Sequence, residues 1–375
     1  MATFKSTTAL AALALAAMAS TAHAGGLEAN GYNWDLLFDP ATYAAKATVT
    51  HVNIEHDIEN PTGFPALGGA AIPGTVSSSA DRVHYNLAVK ADFNDQATCL
   101  MSAQNPFGNG VDRNLAYAAL TGQAARERLT SFDAGLTCSY GFDVGPGTLS
   151  PILGISAQTL GYEADIPTGL TTTAPLSIAG SGTGWRVGAA YEIPEIALRV
   201  SAIYNAAVDY TLTGTAFGGP ATADATTPQS FEVKGQTGIA PGWLVLGSVK
   251  WVDWSVLQSL SVATVGPVVG TDFSYRDGWT VTGGVGHAIT PDLTLLGTIT
   301  WDRGTSSVND SGVLISGTQT DRWGATLGGA YNLAENLELS GGVSYSIIGS
   351  GENLRGETWD DGSVLGISAS LKAHF

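Results

Sequence analysis

The sequence predicts an all-β fold, a 14-stranded antiparallel transmembrane β-barrel preceded by a short N-terminal hatch segment. Three observations carry that expectation. Apolar and polar residues alternate over long stretches, as at the carboxy-terminus, where Leu365, Ile367, Ala369, Leu371, Ala373 and Phe375 interleave with Gly366, Ser368, Ser370, Lys372 and His374. Successive strand side chains point to opposite faces, so such a stretch has one greasy and one polar face. Tight turns and longer Gly-, Ser-, Thr- and Pro-rich links alternate between these stretches, the pattern of short periplasmic turns and long external loops. Charged residues make up only 13% of the chain, beside 48 Gly, which suits a wall whose outside meets lipid.

Residues 1–24 read as a secretory signal: Lys5, an apolar run from Ala9 to Met18, and the small-x-small site Ala22-His23-Ala24. A retained anchor would need roughly 20 apolar residues. Residues 25–46 form the expected hatch, and residues 47–375 the barrel. Strands are expected near 47–58, 81–93, 97–105, 129–143, 148–164, 182–193, 196–213, 228–239, 243–262, 277–289, 293–305, 319–332, 337–349 and 361–375. Within them Val83, Tyr85, Leu87 and Val89 alternate with Arg82, His84, Asn86 and Lys90, where a helix would space apolar residues three and four apart. Turn chemistry separates them at Asn94-Asp95-Gln96, Gly145-Pro146-Gly147, Ala240-Pro241-Gly242 and Thr290-Pro291-Asp292. An even strand number lets the first and last strands pair and removes the sheet edges. Trp243, Trp279, Trp301, Trp323, Tyr140, Phe142, Tyr191 and Tyr331 share the outward parity near strand ends, as rings at a water–lipid interface do.

A net charge of −17 leaves no basic stripe for nucleic acid. Acids in the expected external links serve solubility or, alternatively, divalent-cation bridging at an outer surface. Cys99 and Cys138 both take the lipid-side parity of neighbouring strands. A cross-strand disulfide and two inert thiols both fit, because sequence does not fix the register. No His lies in a zinc motif or beside a Gly-x-Ser-x-Gly elbow, so no catalytic group, metal site or cofactor is expected.

Particular residues resemble a known family. Pro228-Gln229-Ser230-Phe231-Glu232-Val233-Lys234-Gly235, Pro241-Gly242-Trp243 and Trp251-Val252-Asp253-Trp254-Ser255 are similar to the Pro-x-x-Trp/Phe-Glu-Val, Pro-x-Trp and Trp-Ser run of the FadL/OmpP1/TodX outer-membrane transporters. Asp321-Arg322-Trp323 and Gly341-Gly342-Val343-Ser344-Tyr345 resemble that family's penultimate strands. The resemblance implies passive uptake of hydrophobic compounds, with long-chain fatty acids as default cargo. It also implies a greasy capture groove in two external loops, here Asp165 to Ser181 with Ile166, Leu170, Leu176 and Ile178, and Gly214 to Thr227 with Phe217. A sideways opening into the bilayer is implied at Asn105, Pro106, Phe107 and Gly108, and a proline there independently marks a strand break. The chain departs from the family in its short hatch, in loops without apolar helices, and in lacking a basic residue in 156–162 and 259–262.

Inward parity places Arg82, Lys90, Arg186, Arg199, Lys234, Lys250, Arg322 and Lys372 in the lumen with a comparable set of acids. They either knit hatch to wall or, for Arg186, Arg199 and Lys250, meet a ligand carboxylate. Asn114 to Arg128 reads as a helix that caps the barrel, folds inward or projects. The expected partners are hydrophobic small molecules, outer-membrane lipid and lipopolysaccharide, and the barrel-assembly machinery through Phe375, around a monomer in the outer membrane of a Gram-negative bacterium. The alternatives are a general diffusion porin for small polar solutes and an adhesive or structural barrel.

Overall fold

The computed structural model describes residues 26–59, 74–266 and 268–375. The signal expected over residues 1–24 lies outside the described residues. Among the described residues no helix is long and apolar enough to cross a membrane, and strands make the crossing. In chain order they are β1 (Tyr43–Glu55), β2 (Arg82–Asp92), β3 (Ala97–Gln104, resuming at Gly108–Asp112), β4 (Arg126–Tyr140, then Phe142–Val144), β5 (Gly147–Pro167), β6 (Thr173–Ile193) and β7 (Leu198–Asn205, then Val208–Ala216). The second half comprises β8 (Gly219–Thr227, then Ser230–Ala240), β9 (Trp243–Val252, then Ser259–Thr264), β10 (Val269–Asp272, then Gly278–Ala288), β11 (Leu293–Asp302), β12 (Arg322–Ala334), β13 (Leu337–Ile348) and β14 (Gly362–His374). Each pairs antiparallel with its sequence neighbours, and β1 zips to β14 from Ala44↔His374 to Glu55↔Ser363, closing the 14-stranded barrel.

The alternation predicted from sequence is the wall itself. Leu371, Ile367 and Leu365 are exposed on the outside, while Lys372 and Ser370 are buried inside. Aromatic rows mark the two membrane boundaries. Tyr204↔Phe231, Phe231↔Trp251 and Trp251↔Trp279 are successive register partners, continued by Trp301↔Trp323. At the periplasmic end lie Tyr43, Tyr140, Phe142, Tyr191, Trp243, Tyr331 and Phe375, with Tyr43 and Phe375 stacked 6.0 Å apart across the closure. On β9, Trp243 and Trp251 are about 26 Å apart along the strand at roughly 3.3 Å per residue, as a tilted strand through the apolar band requires.

Cys99 and Cys138 face one another in the β3/β4 ladder and form a disulfide, which resolves the alternatives that parity left open. It closes a 39-residue separation, so Cys99→Ser with Cys138→Ser lowers the thermal unfolding midpoint by the equivalent of about 2–4 kcal/mol. Cold-gel mobility of the folded barrel across a temperature series checks this.

Two expected loops are strands. β5 continues to Pro167 and β6 begins at Thr173, leaving residues 168–172 as the connection where Asp165 to Ser181 was expected. β7 and β8 run to a two-residue turn, Phe217-Gly218, with both φ positive (53° and 77°), in place of a Gly214–Thr227 loop. Positive φ at both central positions suits the twist of a hairpin, though it is strained at a phenylalanine. The expected helix over 114–128 is shorter: α1 spans Leu115–Thr121, capped by the Asn114 side chain and stopped by Gly122 at φ 70°. The chain rejoins the sheet at Arg126.

Candidate functional site

Residues 26–42 run inside the bore ahead of β1, and their acids meet the cations of the wall. Asp35 accepts from Lys234 (3.1 and 3.2 Å), Asp39 from Lys372 (3.0 Å), and Glu28 pairs with Lys250. Lys90 donates to the carbonyls of Asp39 and Ala41. Leu27, Tyr32, Trp34, Leu36, Leu37 and Phe38 fill the space between these pairs. Arg186 and Arg199 stack on Tyr32 and Phe38, at 5.2 and 4.6 Å from the ring centroids. A buried charge is tolerated only when paired, and removing one partner of such a pair typically costs roughly 3–5 kcal/mol. The three cations considered for a ligand carboxylate are therefore already engaged: Arg186 with Asp133 (3.5 Å) and Thr137, Arg199 with Glu192 and Gln236, Lys250 with Glu28.

Above the hatch the wall inverts its polarity. In the lipid-spanning part of β5, Leu149, Leu153 and Ile155 are exposed and Ser150, Ser156 and Gln158 are buried. From Thr159 upward the exposed positions are polar, Thr159 and Glu163, while Leu160, Tyr162 and Ala164 are buried. The same switch occurs on β6, where Ser177 and Ser181 face out and Leu176 and Ile178 face in, and on β7, where Asp209, Thr211 and Thr213 oppose Val208, Tyr210 and Leu212. A strand above the bilayer meets water outside, so its apolar face turns inward by the rule that governs any soluble sheet. The result is an apolar lining on β5–β9.

Of the expected capture residues, Leu176 and Ile178 are only 2% exposed within this lining, and Ile166 and Phe217 pack against it. Leu170 lies apart, in the β5–β6 connection. Below the lining sits an apolar pocket of about 60 Å³ walled by Leu27, Phe107, Leu129, Leu160, Leu212, Trp254 and Leu260. Its charged wall group is Glu127, which accepts from Tyr162 (2.8 Å), Thr271 (3.3 Å) and Arg113 (2.7 Å). Leu27, Leu212 and Leu260 were not singled out from sequence, and Trp254 only as part of the Trp251–Ser255 motif. The switch of the apolar face from outside to inside on the upper strands was the signal that would have found Leu212 and Leu260.

Beside this pocket, sharing Asn109, Glu127 and Phe273 with it, lies a polar chamber of about 370 Å³ at the mouth. α1 roofs one side. The buried Tyr117 hydroxyl donates to Glu357 (2.6 Å), which also accepts from Asn353 (2.6 Å), and burial pushes this phenol above its ordinary pKa. His56, packed on Trp359 at 5.8 Å, is pushed down to about 4 by burial, so it is neutral at neutral pH.

Asn105, Pro106 and Phe107 interrupt β3, and the hatch takes over their backbone. Ala29 and Gly31 amides donate to the Pro106 carbonyl (3.0 and 3.2 Å), and the Gly108 amide to Leu27 (2.9 Å). On the β4 side, Ser131 accepts from the Phe107 amide (2.8 Å) and donates to its carbonyl (2.7 Å). Phe107 is 4% exposed, edge-on to Tyr32 and Trp254 (both 5.9 Å), so Pro106, Phe107 and Gly108 join the hatch to the apolar pocket, while Asn105 bridges Tyr85 and Ser131.

The sequence matches the family described as outer membrane protein transport protein (OMPP1/FadL/TodX) over residues 5–373. No curated protein matches it. Among solved structures, a Pseudomonas aeruginosa FadL homologue superposes with a TM-score of 0.72 at 15% identity, covering 98% of this chain and 97% of its own. The Pseudomonas putida toluene transporter TodX gives 0.64 at 16%, covering 96% and 98%, and the Ralstonia pickettii toluene transporter TbuX 0.59 at 14%, covering 89% and 90%. At such identities the likeness shows the fold, and the family match carries the rest. The chain belongs to the OMPP1/FadL/TodX family of outer-membrane transport proteins, β-barrel channels for hydrophobic compounds in Gram-negative bacteria rather than a class of enzymes.

Proposed function

We propose that this barrel is a passive channel for small uncharged hydrophobic compounds. They are captured on the apolar lining of β5–β9, descend into the pocket beside Phe107 and Trp254, and leave sideways at residues 105–108. The apolar pocket beside Phe107 and Trp254, walled in part by Leu160, Leu212 and Leu260 of the lining above it, carries this reading. Burying apolar surface yields about 25 cal/mol per Å², enough for successive shallow wells without a trap. No covalent step is required.

A fatty-acid carboxylate is the less favoured cargo. It would meet Glu127 in the pocket wall, while Arg113, Arg186, Arg199 and Lys250 are held by protein groups. Toluene, the compound named for TodX and TbuX, is of the uncharged class that the apolar wall suits, and the pocket of about 60 Å³ has to widen to admit it. Flow of small polar solutes is opposed by Tyr32, Trp34 and Phe38 across the bore.

Trp254, 1% exposed and in the pocket wall, supplies the test. A bromobenzene titration of the purified barrel is expected to quench tryptophan fluorescence saturably, and Trp254→Phe to remove most of the saturable component. Quenching that is linear in both proteins would contradict the pocket.

A further inference from the structure

We propose that Arg82 is the latch of the sideways exit: its guanidinium, together with the Asn105 side chain, holds shut a seam in the wall that has no backbone ladder. The proposal rests on the lateral-release reading above and adds what keeps that exit closed.

The seam follows from the register. β2 and β3 pair from Asp92↔Thr98 up to Asn86↔Gln104 and no further. Residues 82–85 remain laddered to β1, and Gly108–Asp112 to β4, but among the described residues these two stretches share no ladder with each other. Most of the wall elsewhere is joined by backbone ladders between neighbouring strands, with interruptions between β6 and β7 and between β8 and β9. Here two side-chain bridges replace the ladder. The Tyr85 amide donates to Asn105 Oδ1 (3.3 Å) while Asn105 Nδ2 donates across to the Ser131 carbonyl (2.7 Å). Higher up, Arg82 Nη1 donates to the Gly108 carbonyl (2.9 Å).

Arg82 lacks the carboxylate partner that most inward cations have. Lys234, Lys250, Arg322 and Lys372 each have a carboxylate within salt-bridge distance. Arg82 has none among the described residues, and its Nε is buried without a hydrogen-bond partner. A guanidinium in that position gives up little when it swings into the adjoining polar chamber, whose wall it forms with Asp302 and Glu28. One hydrogen bond from a charged donor is strong enough to keep a seam closed and weak enough to break on the timescale of transport.

Other contacts determine which side moves. Below the seam, the Cys99–Cys138 disulfide ties β3 to β4, and above it the Gly108–Asp112 ladder does the same. β3 therefore stays with β4, and the gap widens on the β2 side. Phe107, facing the apolar pocket from the same break, puts cargo in contact with the seam's inner edge.

The test measures hydrophobe uptake into proteoliposomes with maximal rate and half-saturating concentration separated. Arg82→Met keeps the stem and removes the donors. It is expected to raise the maximal rate about tenfold, the size of one charge-assisted hydrogen bond, with the half-saturating concentration unchanged. Arg82→Lys is expected to return most of the way to the parent rate. In a second arm, Tyr85→Cys with Asn105→Cys is bridged by a short bis-methanethiosulfonate, which is expected to stop uptake relative to the unbridged protein. Asn105→Ala serves beside Arg82→Met should the latter fail to assemble. Blocked uptake in the bridged protein with parental rates in Arg82→Met and Asn105→Ala would overturn the latch and leave the exit standing. Uptake undiminished by the bridge would overturn the lateral exit and the latch with it.

Discussion

Leu176→Asp is expected to lower hydrophobe uptake at least about tenfold, while Ser177→Asp one residue along leaves it at the parent level. The two positions differ only in the face they occupy. Leu176 is 2% exposed inside the apolar lining, and Ser177 points outward above the bilayer. Losing a buried leucine removes about 1.5–3 kcal/mol of apolar contact, and a carboxylate set among Leu160, Tyr162 and Leu212 draws in water that cargo must displace. A tenfold loss corresponds to about 1.4 kcal/mol, so the expectation sits at the low end of that range. Uptake into proteoliposomes, with folding checked by gel mobility, measures it. Equal loss in both variants would point to a general effect on the hairpin.

Removing residues 26–41 is expected to convert the barrel into an open pore that passes small sugars and favours anions. The deleted segment carries Glu28, Asp35 and Asp39, and their partners Lys250, Lys234 and Lys372 would then face water in the bore. The rings of Tyr32, Trp34 and Phe38 leave with it. Single-channel conductance in a planar bilayer, with the reversal potential in a salt gradient, reads both consequences. Conductance that stays at the parent's level would mean that something other than the hatch closes the bore. The triple variant Glu28→Gln, Asp35→Asn, Asp39→Asn is the milder form, expected to give flickering openings because Lys250 loses its acid and Lys234 and Lys372 keep only Glu232 and Glu338 of the wall.

The barrel was legible because membrane crossing imposes a period of two on every strand, and that signal survives in residues such as Leu371 and Lys372 whatever their register. Strand number and order followed from it. The lumen charges were legible by parity as well, but their partners were not, because pairing depends on which of several acids the hatch brings within reach. Leu176, Ile178 and Phe217 were reached through the family resemblance and assigned to loops. The strand that carries Leu176 and Ile178 keeps the same period with the apolar face exchanged, Gly180, Gly182 and Gly184 thin the signal at the switch on β6, and Phe217 sits in the β7–β8 turn. Trp254 and Leu27 come from a 3-10 turn and an irregular hatch, where no periodicity marks a pocket. The break at Pro106 was visible, whereas the bridges of Arg82 and Asn105 across it depend on a register that sequence leaves open.

On the proposed function the path through this wall is apolar and closed to water. Uptake of radiolabelled toluene, oleate and a small sugar into liposomes holding the intact protein tests it most directly. Saturable toluene uptake above protein-free liposomes, slower oleate uptake, and sugar at the protein-free rate are expected. Sugar flux without hydrophobe uptake would contradict it.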